Sequence, residues 1–218
     1  MTEAELRDEI CRVGRSLFDR GYVHASAGNI SARLDDGFLI TPTDACLGFL
    51  DPSRLARLDS SGRQLSGDRA SKTLSLHRRI YESDASARCV IHTHSTHLVA
   101  LTLSGVWQPH DILPPITPYF VMKVGHVPLI PYHRPGDPQV AGLVAEAIVK
   151  HQENGGRLRA VMLDRLGPNV WHDAPAQAMA VLEEMEETAR LWLLANPKPS
   201  PLSEAALQEL RTTFDARW

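Results

Sequence analysis

Cysteine is scarce in this 218-residue chain: Cys11, Cys46 and Cys89 are an odd number and form no CxxC spacing. That excludes a disulfide scaffold and a thiolate zinc site, and it fits the reduced cytoplasm. No apolar run approaches the roughly 18 residues of a membrane span. The opening MTEAELRDEI has neither the basic nor the apolar region of a secretory signal. Neither sign of charge dominates, since 23 Lys and Arg against 26 Asp and Glu leave a net −3. With the basic residues scattered, nucleic acid and membrane surfaces have no support as partners. GxSxG, P-loop and GxGxxG motifs are all missing, which removes serine hydrolysis, P-loop phosphoryl chemistry and Rossmann cofactor binding.

What the chain does have is 43% hydrophobic residues and ten histidines. The length and the apolar share predict one domain over 1–218 with a sizeable core. Thr2 with Glu5 forms a capping box for a first helix, along which Leu6, Ile10, Val13 and Leu17 fall on one face as far as Gly21. Residues 24–31 (HASAGNIS) read as a loop, 37–41 (GFLIT) as a short strand and 71–82 as a helix. Residues 88–92 (RCVIH) read as a strand running into a helix at 97–103. A proline-punctuated middle holds short strands such as 126–132, followed by a helix at 138–151 and a buried strand at 158–163. The longest helix spans 174–195 with its EEMEE cluster exposed, and Ser203 caps a last short one after a hinge at 196–201. This alternation predicts the α/β class with αβα layers.

The strongest chemical signal is CVIHTHSTH at 89–97. Side chains alternate along a strand, so His92 and His94 project the same way from its end, where two imidazoles suit a divalent metal: zinc, nickel, iron or manganese. A pair of hydrogen-bonding surface histidines is the plainer alternative, and His97 reads as part of the next helix. The loop Ala27–Ser31 can present backbone N–H groups, with the Asn29 and Ser31 side chains, to an anion, or it is an ordinary turn. Ser66–Lys72 offers hydroxyls, a helix start and a cation suited to a carboxylate or phosphate, and a solvated helix start explains it equally. Tyr119 in PPITPYF is a candidate general acid or a core tyrosine.

Together and in this order the segments resemble the class II aldolase/adducin superfamily. The resemblance runs through RGYVHASAGNIS (20–31), ITPTDACLGFLDPSRL (40–55), SGDRASKTLSLH (66–77), VIHTHSTH (90–97), ITPYFVMKVGHVPLIPYHRPGD (116–137) and LEEMEETARLWLL (182–194). Within the superfamily the chain is most similar to the 3-oxo-tetronate 4-phosphate decarboxylases. The resemblance implies a single-domain αβα fold and a cytoplasmic homotetramer with active sites between protomers. It implies one divalent metal ion, zinc first, on His92 and His94, and a small acidic sugar-derived substrate held by Gly28, Asn29, Thr43, Ser71 and Lys72. Tyr119 would enter a neighbour's site as proton donor, so that Tyr119 and Lys72 are the candidate catalytic residues.

Three positions depart from the family pattern. Leu166 stands in the late turn where the family carries a third metal histidine. Thr73 replaces a glutamate four residues before His77, and Asp44 replaces a glycine in the Thr41–Asp44 loop. His126, His133, His172 and Asp164 are the candidates for rebuilding the metal site. The leading expectation is a metal-dependent carbon–carbon lyase that decarboxylates a 3-oxo-tetronate 4-phosphate or a similar 3-oxo sugar acid. An aldolase or epimerase of a phosphorylated ketose is the enzymatic alternative. A non-catalytic binding or assembly descendant is the alternative from another class.

Overall fold

A computed structural model describes residues 1–218. Helix α1 (Glu3–Asp19) opens the chain with the expected capping box: Thr2 Oγ1 accepts from Glu5 N, and Glu5 accepts from Thr2 N at 2.7 Å. Strands β1 (Asn29–Leu34), β2 (Gly37–Ile40), β3 (Ala56–Asp59) and β4 (Gln64–Ser66) follow as an antiparallel meander. Helix α2 (Leu74–Ser83), strand β5 (Cys89–His92) and helix α3 (Thr96–Ser104) come next, then α4 (Pro118–Lys123), β6 (Leu129–Ile130) and α5 (Gln139–Glu153). Strands β7 (Ala160–Leu163) and β8 (Gly167–His172), with helices α6 (Pro175–Leu194) and α7 (Glu204–Phe214), complete the chain.

All eight strands form one sheet in the order β4-β3-β2-β1-β5-β8-β7-β6, antiparallel except for β6 beside β7. Helices α1, α3 and α6 bury Leu6, Ile10, Leu17, Leu98, Leu101, Leu182 and Met185 against Ile30, Ala32 and Ile91 on one face. Helices α2 and α5 bury Ile80, Tyr81, Val144 and Ile148 against Val90, Val161 and Trp171 on the other. These are the expected αβα layers, and β5 lies in the middle of them. No helix is long and apolar enough to cross a membrane.

Three expectations need correction. Residues 29–31 are not loop: Asn29 and Ser31 begin β1, where ladder bonds to β2 and β5 outweigh the low strand preference of Asn and Ser. Of the segment 126–132 only Leu129 and Ile130 are strand. The acid cluster of α6 is not all exposed, because Glu186 is buried and caps α3 with its carboxylate. Strands β1, β3, β4 and β8 are additions to the sequence reading.

Candidate active site

Register places the central histidine. His92, the last residue of β5, pairs with Asn29 on β1 and with Asn169 on β8, so the three side chains stand in one row on the α2/α5 face. His92 Nδ1 lies 2.8 Å from the Pro168 carbonyl. A carbonyl only accepts, so the ring proton sits on Nδ1 and Nε2 carries a lone pair. Burial, then neighbouring His94, pushes the His92 pKa down to about 4 against the raising effect of the Pro168 bond. His94 lies just past the strand with its ring centroid 5.1 Å from that of His92, edge to face. Its pKa is also lowered, by burial first and His24 second. Both rings are therefore neutral at neutral pH, the form in which an imidazole binds metal.

Behind this pair sits His77 on α2, fully buried, with Nδ1 2.8 Å from Ser31 Oγ; that hydroxyl is in turn 2.7 Å from the Tyr81 hydroxyl. Desolvation, with His92 adding to it, pushes the His77 pKa down to about 3. Its Nε2 has no hydrogen-bond partner. Neither do Asn29 Oδ1 or either polar atom of the Asn169 carboxamide. Sequence reasoning missed His77 and Asn169 as site residues. His77 was visible only as a helix position, and Asn169 lies on a strand the reading did not contain.

Of the expected substrate-holding residues, Gly28 and Asn29 adjoin this row, and the Thr43 and Ser71 segments connect to it through Thr41. Gly28 takes φ +87°, and a Cβ there would come within 2.7 Å of the His92 carbonyl oxygen, so the loop lies directly on the strand end. Thr41 couples β1 to the next segment: its hydroxyl accepts from Ile30 N and its carbonyl from Ser71 N. Thr43 N donates to Arg69 O, which occupies that amide. Ser71 Oγ is 2.9 Å from Thr73 Oγ1, and Lys72 is exposed. Thr43, Asp44 and Arg69 line a cavity of about 460 Å³. Asp44 itself is exposed in the left-handed region at φ +58°, a conformation Asp tolerates better than most residues. Tyr119 does not join this group within the subunit. It is 59% exposed at the start of α4, which packs on α6 and α7.

The donor set suits a divalent ion up to a point. His92 and His94 fit as a pair, and the Pro168 carbonyl fixes the ligating tautomer. The set stops there, because nowhere in the chain do three or more His, Cys, Asp or Glu side chains come together so as to hold a metal. Leu166 is half-buried against the α2/α5 core, and Thr73 is turned to Ser71. Of the rebuilding candidates, His126 is bonded to Asp111 at 2.6 Å and His172 to Asp173 at 2.5 Å, while His172 stands opposite Cys89 at the far end of β5. His133 and Asp164 pair loosely with Asp137 and Arg165, at 4.0 Å each.

Residues 8–193 match the class II aldolase and adducin N-terminal domain. The chain belongs to this family. Within the class II aldolase and adducin family it is 58% identical to the 3-oxo-tetronate 4-phosphate decarboxylase of Cupriavidus necator, over all of this chain and 99% of that one. It is 40% identical to the protein of the same name in Escherichia coli K12, over 96% of this chain and 97% of that one. In three dimensions it resembles the crystal structure of YgbL from Klebsiella pneumoniae, described as an aldolase/epimerase/decarboxylase. That likeness has a TM-score of 0.88 and 42% identity over 97% of this chain and all of that one. The full-length agreement bears out the family, the αβα fold and the decarboxylase branch read from the motifs.

Proposed function

We propose that the protein is a carbon–carbon lyase that decarboxylates a 3-oxo-tetronate 4-phosphate. The observation that carries this reading is the 58% identity to a decarboxylase of that name along the whole chain. The neutral His92–His94 pair, His92 buried and His94 half-buried, with Gly28 packed against the end of β5, supports it. In such a substrate the C1 carboxylate is β to the C3 ketone. Breaking C1–C2 releases CO₂, and the electron pair left on C2 delocalises onto the C3 oxygen. A proton added at C2 then yields dihydroxyacetone phosphate.

The chain's own residues bind and orient the substrate. Lys72 supplies a mobile cation for an anionic end of the substrate. The Ser71 and Thr43 hydroxyls, the Asn29 carboxamide and the close-packed Gly28 backbone shape the remaining contacts. A divalent ion on His92 and His94, zinc first with nickel, manganese or iron as alternatives, would supply Lewis-acid stabilisation of the charge on the 3-oxo oxygen. Tyr119, exposed on its own subunit, is assigned as proton donor to a neighbouring copy in a cytoplasmic homotetramer.

The test is to incubate the protein, reloaded with each of these metals in turn, with 3-oxo-tetronate 4-phosphate. Release of CO₂ and dihydroxyacetone phosphate in equal amounts is expected, and its loss in His92→Ala. Cleavage or inversion without CO₂ would replace this reading with an aldolase or epimerase. No turnover with any metal would replace it with a non-catalytic descendant.

A further inference from the structure

Five buried side-chain polar atoms in the molecule lack a hydrogen-bond partner, and four of them belong to Asn29, His77 and Asn169. Leaving such an atom dry costs on the order of 1–3 kcal/mol, so clustering them is expensive unless something binds there. Asn169 is the extreme case: the residue is fully buried and neither end of its carboxamide is paired. The lack of a partner therefore does not depend on which end is oxygen.

Its position gives the orphaned amide a role. Asn169 is the cross-strand partner of His92 on the same face. The His92 ring is turned toward β8 by its bond to the Pro168 carbonyl, one residue from Asn169. That bond fixes a lone pair on His92 Nε2. The other orphans of the row, Asn29 Oδ1 and His77 Nε2, include a second oxygen acceptor on the opposite side of His92. Asn29 Oδ1, Asn169 Oδ1 and His92 Nε2 put three acceptors in this row against one unpaired donor group, Asn169 Nδ2, a balance that matches a cation better than it matches an anion or an apolar group. Carboxamide oxygen is a competent ligand for hard and borderline divalent ions.

We propose that Asn169 is a metal ligand, its carboxamide oxygen joining the His92 and His94 imidazoles on one divalent cation. The inference rests on the reading of His92 and His94 as a metal pair. It goes further by naming a third protein ligand outside the His, Cys, Asp and Glu set.

The experiment is chelator competition with Zn²⁺ and, separately, Mn²⁺ on full-length protein, for the wild type, His92→Ala, Asn169→Val and Asn169→Asp. Visible spectra of the Co²⁺ forms are recorded in parallel. Asn169→Val is expected to bind metal about tenfold more weakly or worse. Asn169→Asp, which puts a charged oxygen in the same place, is expected to bind more tightly, and both should shift the Co²⁺ ligand-field bands. Asn169→Asp also serves if Asn169→Val fails to fold. Affinities and Co²⁺ spectra unchanged in the Asn169 variants, with metal lost in His92→Ala, would overturn this ligand while leaving the histidine pair standing. Metal held equally by the wild type and His92→Ala would overturn the pair and this ligand together.

Discussion

Two kinds of buried polar group in this molecule behave in opposite ways. Glu186, Asp84 and Asp111 are buried carboxylates, and each is fully used. Glu186 accepts from His97 N, His97 Nδ1 and Leu98 N; Asp84 from Ser86 N, Ser86 Oγ and Trp171 Nε1; Asp111 from Val127 N and His126 Nδ1. The row Asn29–His92–Asn169 with His77 behind it is as deeply buried and leaves four atoms unpaired. The carboxylates join elements: Glu186 ties α6 to the start of α3, and Asp84 ties the end of α2 to β8. The imidazole and amide row spends stability at one end of β5, where the chain has kept lone pairs available. The satisfied carboxylates belong to the scaffold, and four of the five unsatisfied atoms belong to the site.

If that contrast is right, removing a scaffold carboxylate should unfold the protein more readily than anything done to the row. Glu186→Ala strands two N–H groups at the start of α3 and the His97 ring. A loss of about 3 kcal/mol is expected, which for a domain of this size lowers the melting temperature by roughly 6–12 °C. A thermal melt within about 2 °C of the wild type would mean that Glu186 is not a structural cap and that the contrast is drawn in the wrong place.

The next effect tests the row from the other side, through pH. His77 keeps its native pKa near 3 against an ordinary 6.5. Between those values the unfolded chain binds a proton that the native chain refuses, so stability must fall as the pH drops below about 6.5. The contribution of this one ring is present in full at pH 7 and roughly 2 kcal/mol of it is gone by pH 5. Urea melts at pH 7 and pH 5 should show the loss in the wild type and a visibly smaller one in His77→Phe. Equal pH dependence in both proteins would place the low-pH sensitivity elsewhere.

Smaller again, and opposite in sign, is the response to removing an orphan. Asn169→Val deletes both unpaired atoms in an apolar setting beside Val161 and Val170. In metal-free protein it should raise stability by about 1–2 kcal/mol, read as a later urea midpoint with an unchanged slope. A destabilised variant would show that the carboxamide is paired in solution and belongs with the scaffold.

Much of this architecture could be read in the residues before any coordinates. The capping box at Thr2 and Glu5 and the amphipathic period of α1 are local signals, as is the HxH at the end of a β-rich run. What escaped depends on partners far away in the chain. Strand β8 is buried on both faces and opens Gly-Pro-Asn, so it lacks the alternation that reveals a half-exposed strand. Strand β1 begins in residues whose own preferences say turn. Glu186 looks like one of four surface acids until α3 is packed against α6, and nothing local distinguishes it from Glu187. The orphaned atoms are the hardest to foresee, because a missing hydrogen bond exists only once every neighbour is in place.

The smallest structural effect should accompany a clear functional one. Lys72 is exposed and its ammonium makes no hydrogen bond or ion pair, so it belongs neither to the scaffold nor to the buried row. Truncating it leaves nothing stranded, and the melting temperature should stay within about 1 °C. Its value lies in the charge it offers to an anionic substrate, which acts in the bound ground state as much as later along the reaction. Lys72→Ala should therefore raise KM about tenfold, the loss of one charge-assisted hydrogen bond, with kcat changed less. Lys72→Arg should recover part of the binding, because the charge returns in a different shape. A fall confined to kcat would move Lys72 out of substrate binding and into the chemical step beside His92. The boundary between site and scaffold would then have to be redrawn to include the turn before α2.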